Sequence, residues 1–247
     1  MSPVTLRFLG CGDAFAAGGR FQTSFYLEGG NEPMLVDCGA TALVALKRLG
    51  IDSSSIGLVA LSHLHGDHFG GLPWLVLDGQ LRAGRTRPLV IAGPERTEER
   101  FTQAFEVLYP GAQEGGWDFE VQVVELRERE PCELGAAVIT TFPVIHAPGT
   151  FPHALRIEYG GRVVAFSGDT EWTDVLLEVA DGADLFVCEC QAYERQVPGH
   201  IDYRTLSAKR AELGCRRLVV NHLGDDMLAR VGELDVEAAE DGMVIEL

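Results

Sequence analysis

The sequence is poor in basic residues and has no long apolar run. Its 247 residues include 20 lysines and arginines against 37 aspartates and glutamates, which gives a formal net charge of -17. Nucleic-acid binding relies on lysine and arginine to displace counterions, so this balance disfavours a nucleic acid as a partner. No apolar run approaches the ~20 residues that cross a bilayer, and we expect no membrane association.

The N-terminal residues and the cysteines also lack familiar signals. No basic segment followed by a long apolar stretch begins the chain, which predicts that there is no signal peptide. The six cysteines are scattered and none forms a CxxC pair. This pattern is typical of reduced thiols, so we expect a cytoplasmic protein. Cys188 and Cys190 flank Glu189, and we interpret both cysteines as core residues on one strand face rather than as metal ligands.

Repeats, low-complexity tracts and linker-like segments are absent as well, and we expect residues 1–247 to form a single domain. Strand-like and helix-like segments are interspersed, which indicates an α/β protein with helices outside packed sheets. The predicted strands are 4–9, 21–27, 34–36, 56–61, 138–144, 154–159, 162–166, 185–188, 217–220 and 243–247. The predicted helices are 41–49, a helix opened by Pro94, 173–180 and 202–213.

The most informative segment has the pattern HxHxDH and directly follows the apolar strand predicted at 56–61. His63 and His65 are two residues apart, so in extended geometry their imidazoles leave the chain on the same side. Asp67 and His68 lie beyond Gly66, where a turn directs them to an adjacent position. Imidazole and carboxylate ligands suit zinc first, with manganese or iron as substitutes. The segment therefore predicts a metal site.

Three further polar residues each end a different apolar strand. His146 follows the strand at 138–144, Asp169 follows 162–166 within a Gly-Asp-Thr sequence, and His222 follows 217–220. We expect these strand ends to converge on one rim together with the HxHxDH segment.

The order of these motifs resembles that of the metallo-β-lactamase superfamily. The motif sequences are most similar to those of its ribonuclease Z-like phosphodiesterase branch. The matching segments span residues 6 to about 224. They are Phe8-Leu-Gly-Cys-Gly, Leu35-Val-Asp-Cys-Gly, Ser62-His-Leu-His-Gly-Asp-His-Phe-Gly-Gly-Leu, Ala183-Asp-Leu-Phe-Val-Cys-Glu, Gly199-His and Arg217-Leu-Val-Val-Asn-His. The resemblance implies the αβ/βα four-layer sandwich of the metallo-β-lactamase fold.

The resemblance also implies a site with two divalent metal ions. His63, His65 and His146 would hold the first ion, Asp67, His68 and His222 the second, and Asp169 would bridge both. A hydroxide between metals about 3.5–4 Å apart is then the nucleophile, since metal coordination lowers the pKa of water. Asp67 would also orient that hydroxide or take its proton.

His200 matches a histidine that, in this branch, helps to protonate the leaving group. The Ser-Thr that usually follows it is replaced here by Ile201-Asp202, so a plain surface histidine stays an alternative. Glu189 is a candidate to orient His200 or a metal ligand. For His153 we expect a place behind the ligands or at the surface.

Ribonucleases Z that mature tRNA carry a long flexible arm, usually between the lone histidine and the Gly-Asp-Thr aspartate. Only 22 residues separate His146 from Asp169 here, and two predicted strands use them. Arginines 82, 85, 87, 96 and 100 form a cluster, but glutamates 95, 98 and 99 interleave with it, which favours a solvated face. We therefore expect a small-molecule substrate, most simply a small phosphodiester.

Other functions stay open at this point. The same ligands suit hydrolysis of a lactone or thioester, and tRNA 3′ cleavage remains an alternative. A flavodiiron-type redox protein needs a flavin domain for which the chain has no room, and a non-catalytic module would be expected to lose ligands. A homodimer is also left open.

Overall fold

The structure, a computed structural model, describes residues 3–247. Within them, fourteen strands form two seven-stranded sheets. The first sheet has the order β14-β1-β2-β3-β4-β5-β6 and contains β1 (Thr5–Gly10), β2 (Ser24–Glu28), β3 (Met34–Val36), β4 (Leu58–Ala60), β5 (Leu89–Gly93), β6 (Val121–Glu125) and β14 (Val244–Glu246). The second has the order β13-β12-β11-β10-β9-β8-β7 and contains β7 (Cys132–Leu134), β8 (Ala137–Pro143), β9 (His153–Tyr159), β10 (Arg162–Phe166), β11 (Leu185–Glu189), β12 (Leu218–Asn221) and β13 (Glu237–Ala238).

The two sheets share one pairing pattern. In the first sheet β14, β1, β2 and β3 pair antiparallel, and β3 to β6 pair parallel. In the second, β7 to β10 pair antiparallel and β10 to β13 parallel. Parallel strands need crossover connections, and these connections place the helices on the sheet faces.

Seven α-helices accompany the sheets in residues 3–247. They are α1 (Ala42–Arg48), α2 (Gly66–Phe69), α3 (Leu72–Asp78), α4 (Thr97–Leu108), α5 (Val175–Ala180), α6 (Tyr203–Lys209) and α7 (Asp225–Leu228). None of the helices in this part of the chain combines the length and the apolar character that crossing a bilayer demands.

Three apolar clusters divide the molecule into four layers. Between the sheets, the ring of Phe25 packs edge-on against Phe8 and Phe166, with ring centroids 5.1 and 5.0 Å apart. A second cluster joins α1, α3 and α4 to the outer face of the first sheet, and a third joins α5 and α6 to the second sheet. The predicted α/β four-layer sandwich is confirmed. Cys188 and Cys190 are buried in the third cluster, as expected of core residues.

Candidate metal centre

All predicted ligands lie at one edge of the two sheets, where strands end. The segment with His63 and His65 follows β4, and His146 follows β8. Asp169 follows β10 and His222 follows β12. Because the carboxyl ends of parallel strands face the same way, the pairing pattern directs polar residues from both sheets to this edge.

Three imidazoles face one another in the first group of side chains. Nδ1 of His65 lies 3.2 Å from Nε2 of His63 and 3.1 Å from Nε2 of His146. The three nitrogen atoms are therefore close enough to bind a single cation together.

The second group is Asp67, His68, Asp169 and His222, all buried, with candidate ligand atoms within 4.8 Å of one another. The turn predicted after Gly66 is the one-turn helix α2, which carries Asp67 and His68. Oδ2 of Asp169 lies 3.3 Å from Nε2 of both His68 and His222, and 3.9 Å from Nε2 of both His63 and His146. A single carboxylate oxygen is thus shared between the two groups.

Asp37 orients one histidine of each group, a role that the sequence analysis missed. Its Oδ2 lies 2.6 Å from Nδ1 of His68. The same carboxylate accepts hydrogen bonds from the backbone N–H and the hydroxyl of Ser62, at 2.7 and 2.8 Å. Oγ of Ser62 in turn lies 3.0 Å from Nδ1 of His63. Like the ligands, Asp37 directly follows a strand end, and that signal was available in the sequence.

His146 and His222 are held in the same manner. Nδ1 of His146 donates to the carbonyl of Gly199 across 2.7 Å. Nδ1 of His222 lies 3.2 Å from Oγ1 of Thr23, which also accepts from the amide of Asn221. A partner on Nδ1 fixes the ring and leaves Nε2 for the centre, the usual arrangement around metal-binding histidines.

The charge states of these residues fit a bound cation. Burial lowers the pKa of His63 well below its usual range and also lowers the pKa values of His65, His146 and His222, so these rings are neutral, the form that binds metals. Burial alone would lower the pKa of His68 too, but Asp169, Asp67 and Asp37 raise it well above its usual value. The carboxylates around His68 thus favour positive charge at its Nε2.

Three buried atoms of the second group have no hydrogen-bond partner: Oδ2 of Asp67, Nε2 of His68 and Oδ1 of Asp169. Buried polar atoms are nearly always satisfied, so orphaned atoms that face one another call for an explanation. Metal coordination provides one, and imidazole nitrogen with carboxylate oxygen is a donor set that zinc, manganese and iron accept. The His/Asp cluster is able to bind metal ions.

His200 lies beside the cluster, and its ring centroid is 4.9 Å from that of His146 and 5.4 Å from that of His222. Its Nδ1 lies 3.0 Å from Oε1 of the buried Glu189, which also accepts the backbone N–H of Thr170. Burial raises the pKa of Glu189 to about 7. Burial alone would lower the pKa of His200, but its hydrogen bond with Glu189 raises it.

The Ile201-Asp202 sequence after His200 has a structural use. Ile201 is buried, and Asp202 caps α6 by accepting the N–H of Thr205 across 2.9 Å. The replacement of the usual Ser-Thr by Ile201-Asp202 therefore does not displace His200 from the candidate metal centre.

A cavity of about 290 Å³ opens over the two groups of ligands. Its walls include His65, His146 and His200, and Phe15 stands at the mouth with 87% of its side chain exposed. The Phe15 loop is ordered by Asp13, whose Oδ1 accepts the N–H groups of Phe15 and Ala17 at 3.1 and 3.0 Å. Nothing in the sequence analysis pointed to Phe15.

The arginine cluster divides into different roles. The solvated-face interpretation is wrong for Arg85, which is 4% exposed and donates to the backbone carbonyls of Ser53, Ile56 and Pro88. Exposed Arg96 instead pairs with Glu99 across 2.6 Å. Residues 147–168 contain β9 and β10, so no long arm is inserted there.

Comparisons with known proteins identify the family and the fold of this chain. The family model described as Anti-Pycsar protein Apyc1 matches residues 4–238. A ribonuclease Z of Agathobacter rectalis is 26% identical, with 92% of this chain and 93% of that protein covered. The protein Rv1339 of Mycobacterium tuberculosis is 31% identical, with 89% of this chain and 81% of that protein covered. The crystal structure of the metallo-β-lactamase fold protein YhfI of Bacillus subtilis has a TM-score of 0.79 and 26% identity, with 99% of this chain and 100% of that chain covered.

Proposed function

Because the chain belongs to the family described as Anti-Pycsar protein Apyc1 and is a metal-dependent hydrolase of the metallo-β-lactamase fold, we propose that it is a dinuclear zinc phosphodiesterase for small phosphodiesters. The observation that carries the proposal is the position of Asp169, whose Oδ2 lies within 3.9 Å of histidine nitrogens from both groups. An oxygen shared in this way suits a carboxylate that bridges two ions.

The proposed ligands are those implied by the sequence. His63, His65 and His146 would hold one ion, Asp67, His68 and His222 would hold the other, and Asp169 would be shared between them. Two metal ions bound there would supply Lewis acidity for the phosphoryl oxygens and a lowered pKa for the attacking water.

The side chains of the chain itself complete the chemistry. Asp67 lines the cavity and its Oδ2 has no hydrogen-bond partner, so this carboxylate is a candidate to orient the attacking water and take its proton. His200 also lines the cavity, and its Nε2 donates a proton to the leaving oxygen while Glu189 holds the ring.

The size of the cavity supports a small substrate. At about 290 Å³ it is at the lower end of the range for ligand pockets, roughly 300–1,000 Å³. Such a volume suits one phosphodiester group with part of its substituents. The exposed ring of Phe15 offers an apolar wall for one of these substituents.

RNA is a second candidate substrate because a relative named ribonuclease Z matches most of the chain. The absence of an inserted arm between β8 and α5, and the net charge of -17, favour the small substrate. A lactone or thioester would use the same ligands.

The test is a substrate panel on zinc-reconstituted protein: bis-p-nitrophenyl phosphate, alkyl phosphodiesters, a lactone series and a thioester series. We expect the highest kcat/KM for a phosphodiester. Faster turnover of a lactone or thioester would overturn the proposal, and so would a preparation that hydrolyses phosphodiesters with less than half an equivalent of transition metal.

A further inference from the structure

His153 begins β9 and faces a cavity separate from the one over the candidate metal centre. Its side chain is 6% exposed. Nδ1 lies 2.8 Å from the carbonyl oxygen of Phe151, which only accepts, so Nδ1 carries the proton and Nε2 presents a lone pair. Nε2 is buried and has no hydrogen-bond partner.

The ring is held in the same way as that of His146. In both histidines Nδ1 donates to a backbone carbonyl, that of Gly199 for His146 and that of Phe151 for His153. Such a bond is the usual support of a metal-binding histidine, because it fixes the tautomer and aims the other nitrogen. Nε2 of His146 points into the centre, whereas Nε2 of His153 points towards the carboxylate of Glu128.

The cavity at His153 is rich in carboxylates. It has a volume of about 500 Å³, and its polar lining includes Glu95, Glu125 and Glu128. The single basic side chain that lines it, Arg127, lies 3.6 Å from Glu130. This acidic lining favours the binding of a cation.

The distance between the two nearest donor atoms fits a metal ion. Oε1 of Glu128 lies 3.5 Å from Nε2 of His153, which is long for a hydrogen bond. Two ligand atoms bound tetrahedrally to zinc at about 2.0–2.2 Å are separated by about 3.3–3.6 Å.

We propose that Nε2 of His153 and the carboxylate of Glu128 form a further binding site for a divalent transition-metal ion, zinc in the first place. Water completes the coordination, and Glu95 and Glu125 add negative charge to the same cavity. With two protein ligands the site binds more weakly than the main centre, so it fills after it.

The experiment is a zinc titration of the 247-residue protein already loaded with two equivalents and freed of excess metal. Binding is measured by equilibrium dialysis with elemental analysis, a readout that does not depend on hydrolysis. His153→Gln and Glu128→Gln each remove one ligand. Glu158→Gln is the matched control, because Glu158 is an exposed carboxylate at the other end of the same strand.

We expect the unaltered protein and Glu158→Gln to take up one additional equivalent at micromolar zinc. In both ligand variants the affinity for this equivalent should fall at least about tenfold, while the first two equivalents stay. Since Glu128 is exposed, Glu128→Gln tests the site even if His153→Gln does not fold.

An additional equivalent that binds equally well to Glu128→Gln, or none in the unaltered protein, would overturn the proposal. Failure of the proposed dinuclear centre gives a different result. The first two equivalents would then be missing, and the equivalent that depends on Glu128 would remain.

Discussion

Oε1 of Glu189 accepts a hydrogen bond from Nδ1 of His200 across 3.0 Å, and this contact turns Nε2 of His200 towards the cavity. Glu189 is fully buried at the end of β11, so the contact is set by the sheet rather than by a surface loop. This geometry fits the role of proton donor proposed for His200.

Replacing His200 with alanine should slow esters with poor leaving groups far more than those with good ones. General acid catalysis contributes about 10²–10⁴-fold when the leaving oxygen needs a proton, and little when it does not. The measurement is kcat/KM for alkyl and p-nitrophenyl phosphodiesters side by side. An equal loss on both would assign His200 a structural role.

Glu189→Gln should give a smaller loss on the same alkyl esters. The amide oxygen still accepts the N–H of His200, but the negative charge that stabilises protonated imidazole is gone. We expect rates between those of the unaltered protein and His200→Ala, with the p-nitrophenyl ester nearly unaffected. A loss of the same size on both esters would indicate a general disturbance of the rim.

Asp67→Ala should lower phosphodiesterase activity by orders of magnitude, since the change removes a carboxylate proposed both as a ligand and as the proton acceptor. The assay is bis-p-nitrophenyl phosphate hydrolysis combined with elemental analysis of the variant. Activity retained at the original level would place the chemistry elsewhere in the molecule.

Asp37→Asn tests the support of His68 and His63 without changing a proposed ligand. Loss of such a partner typically lowers metal affinity by about 10–100-fold. Competition with a chelator of known affinity measures the change, with Asp118→Asn as control because Asp118 is exposed and remote from the rim. Unchanged affinity in Asp37→Asn would mean that Asp37 does not support metal binding by His68 and His63.

Phe15→Ala should raise KM for aryl phosphodiesters by about two- to tenfold, the equivalent of the 0.5–1.5 kcal/mol of an aromatic contact. Small dialkyl esters should be affected less. Because the ring is 87% exposed, the fold should tolerate the change. Equal KM values for every ester in both proteins would show that the ring does not contact substrate.

Precursor tRNA should be cleaved slowly at physiological salt compared with a small phosphodiester. Binding a folded tRNA needs several phosphate contacts from lysine or arginine, and of the arginine cluster Arg85 is bound to backbone carbonyls while Arg96 pairs with Glu99. Rapid cleavage at the correct position would favour the ribonuclease Z function, and Arg82 and Arg100 would be the first residues to replace.

The sequence predicted the proposed ligands more fully than the residues that hydrogen-bond to these ligands. His63, Asp169 and His222 were identifiable because each directly follows an apolar strand. The place of Asp37 directly after β3 is visible in the sequence, but its contacts with Ser62 and His68 depend on β3 pairing beside β4. The role of Thr23 depends on how the two sheets meet, which local sequence does not show. The helix predicted at 202–213 is α-helical only to Lys209 and then tightens into a 3-10 turn.

The strands β5 and β6 were not predicted, although they complete the parallel part of the first sheet. Pairing with neighbouring strands, rather than alternation within these segments, forms them. Phe15 was missed for a related reason. An exposed aromatic in a loop acquires significance only from the cavity beside it.

The proposed ligands come from two stretches of the chain, residues 63–68 and residues 146–222. The first stretch follows a strand of the first sheet, and the second stretch belongs to the second sheet. Ions held between these stretches would cross-link segments about 80–160 residues apart across the interface of the two sheets. Closing loops of that length in an unfolded chain is entropically costly. Metal binding would therefore make the two sheets come apart together rather than in turn, so removal of the ions should broaden the unfolding transition as well as lower its midpoint.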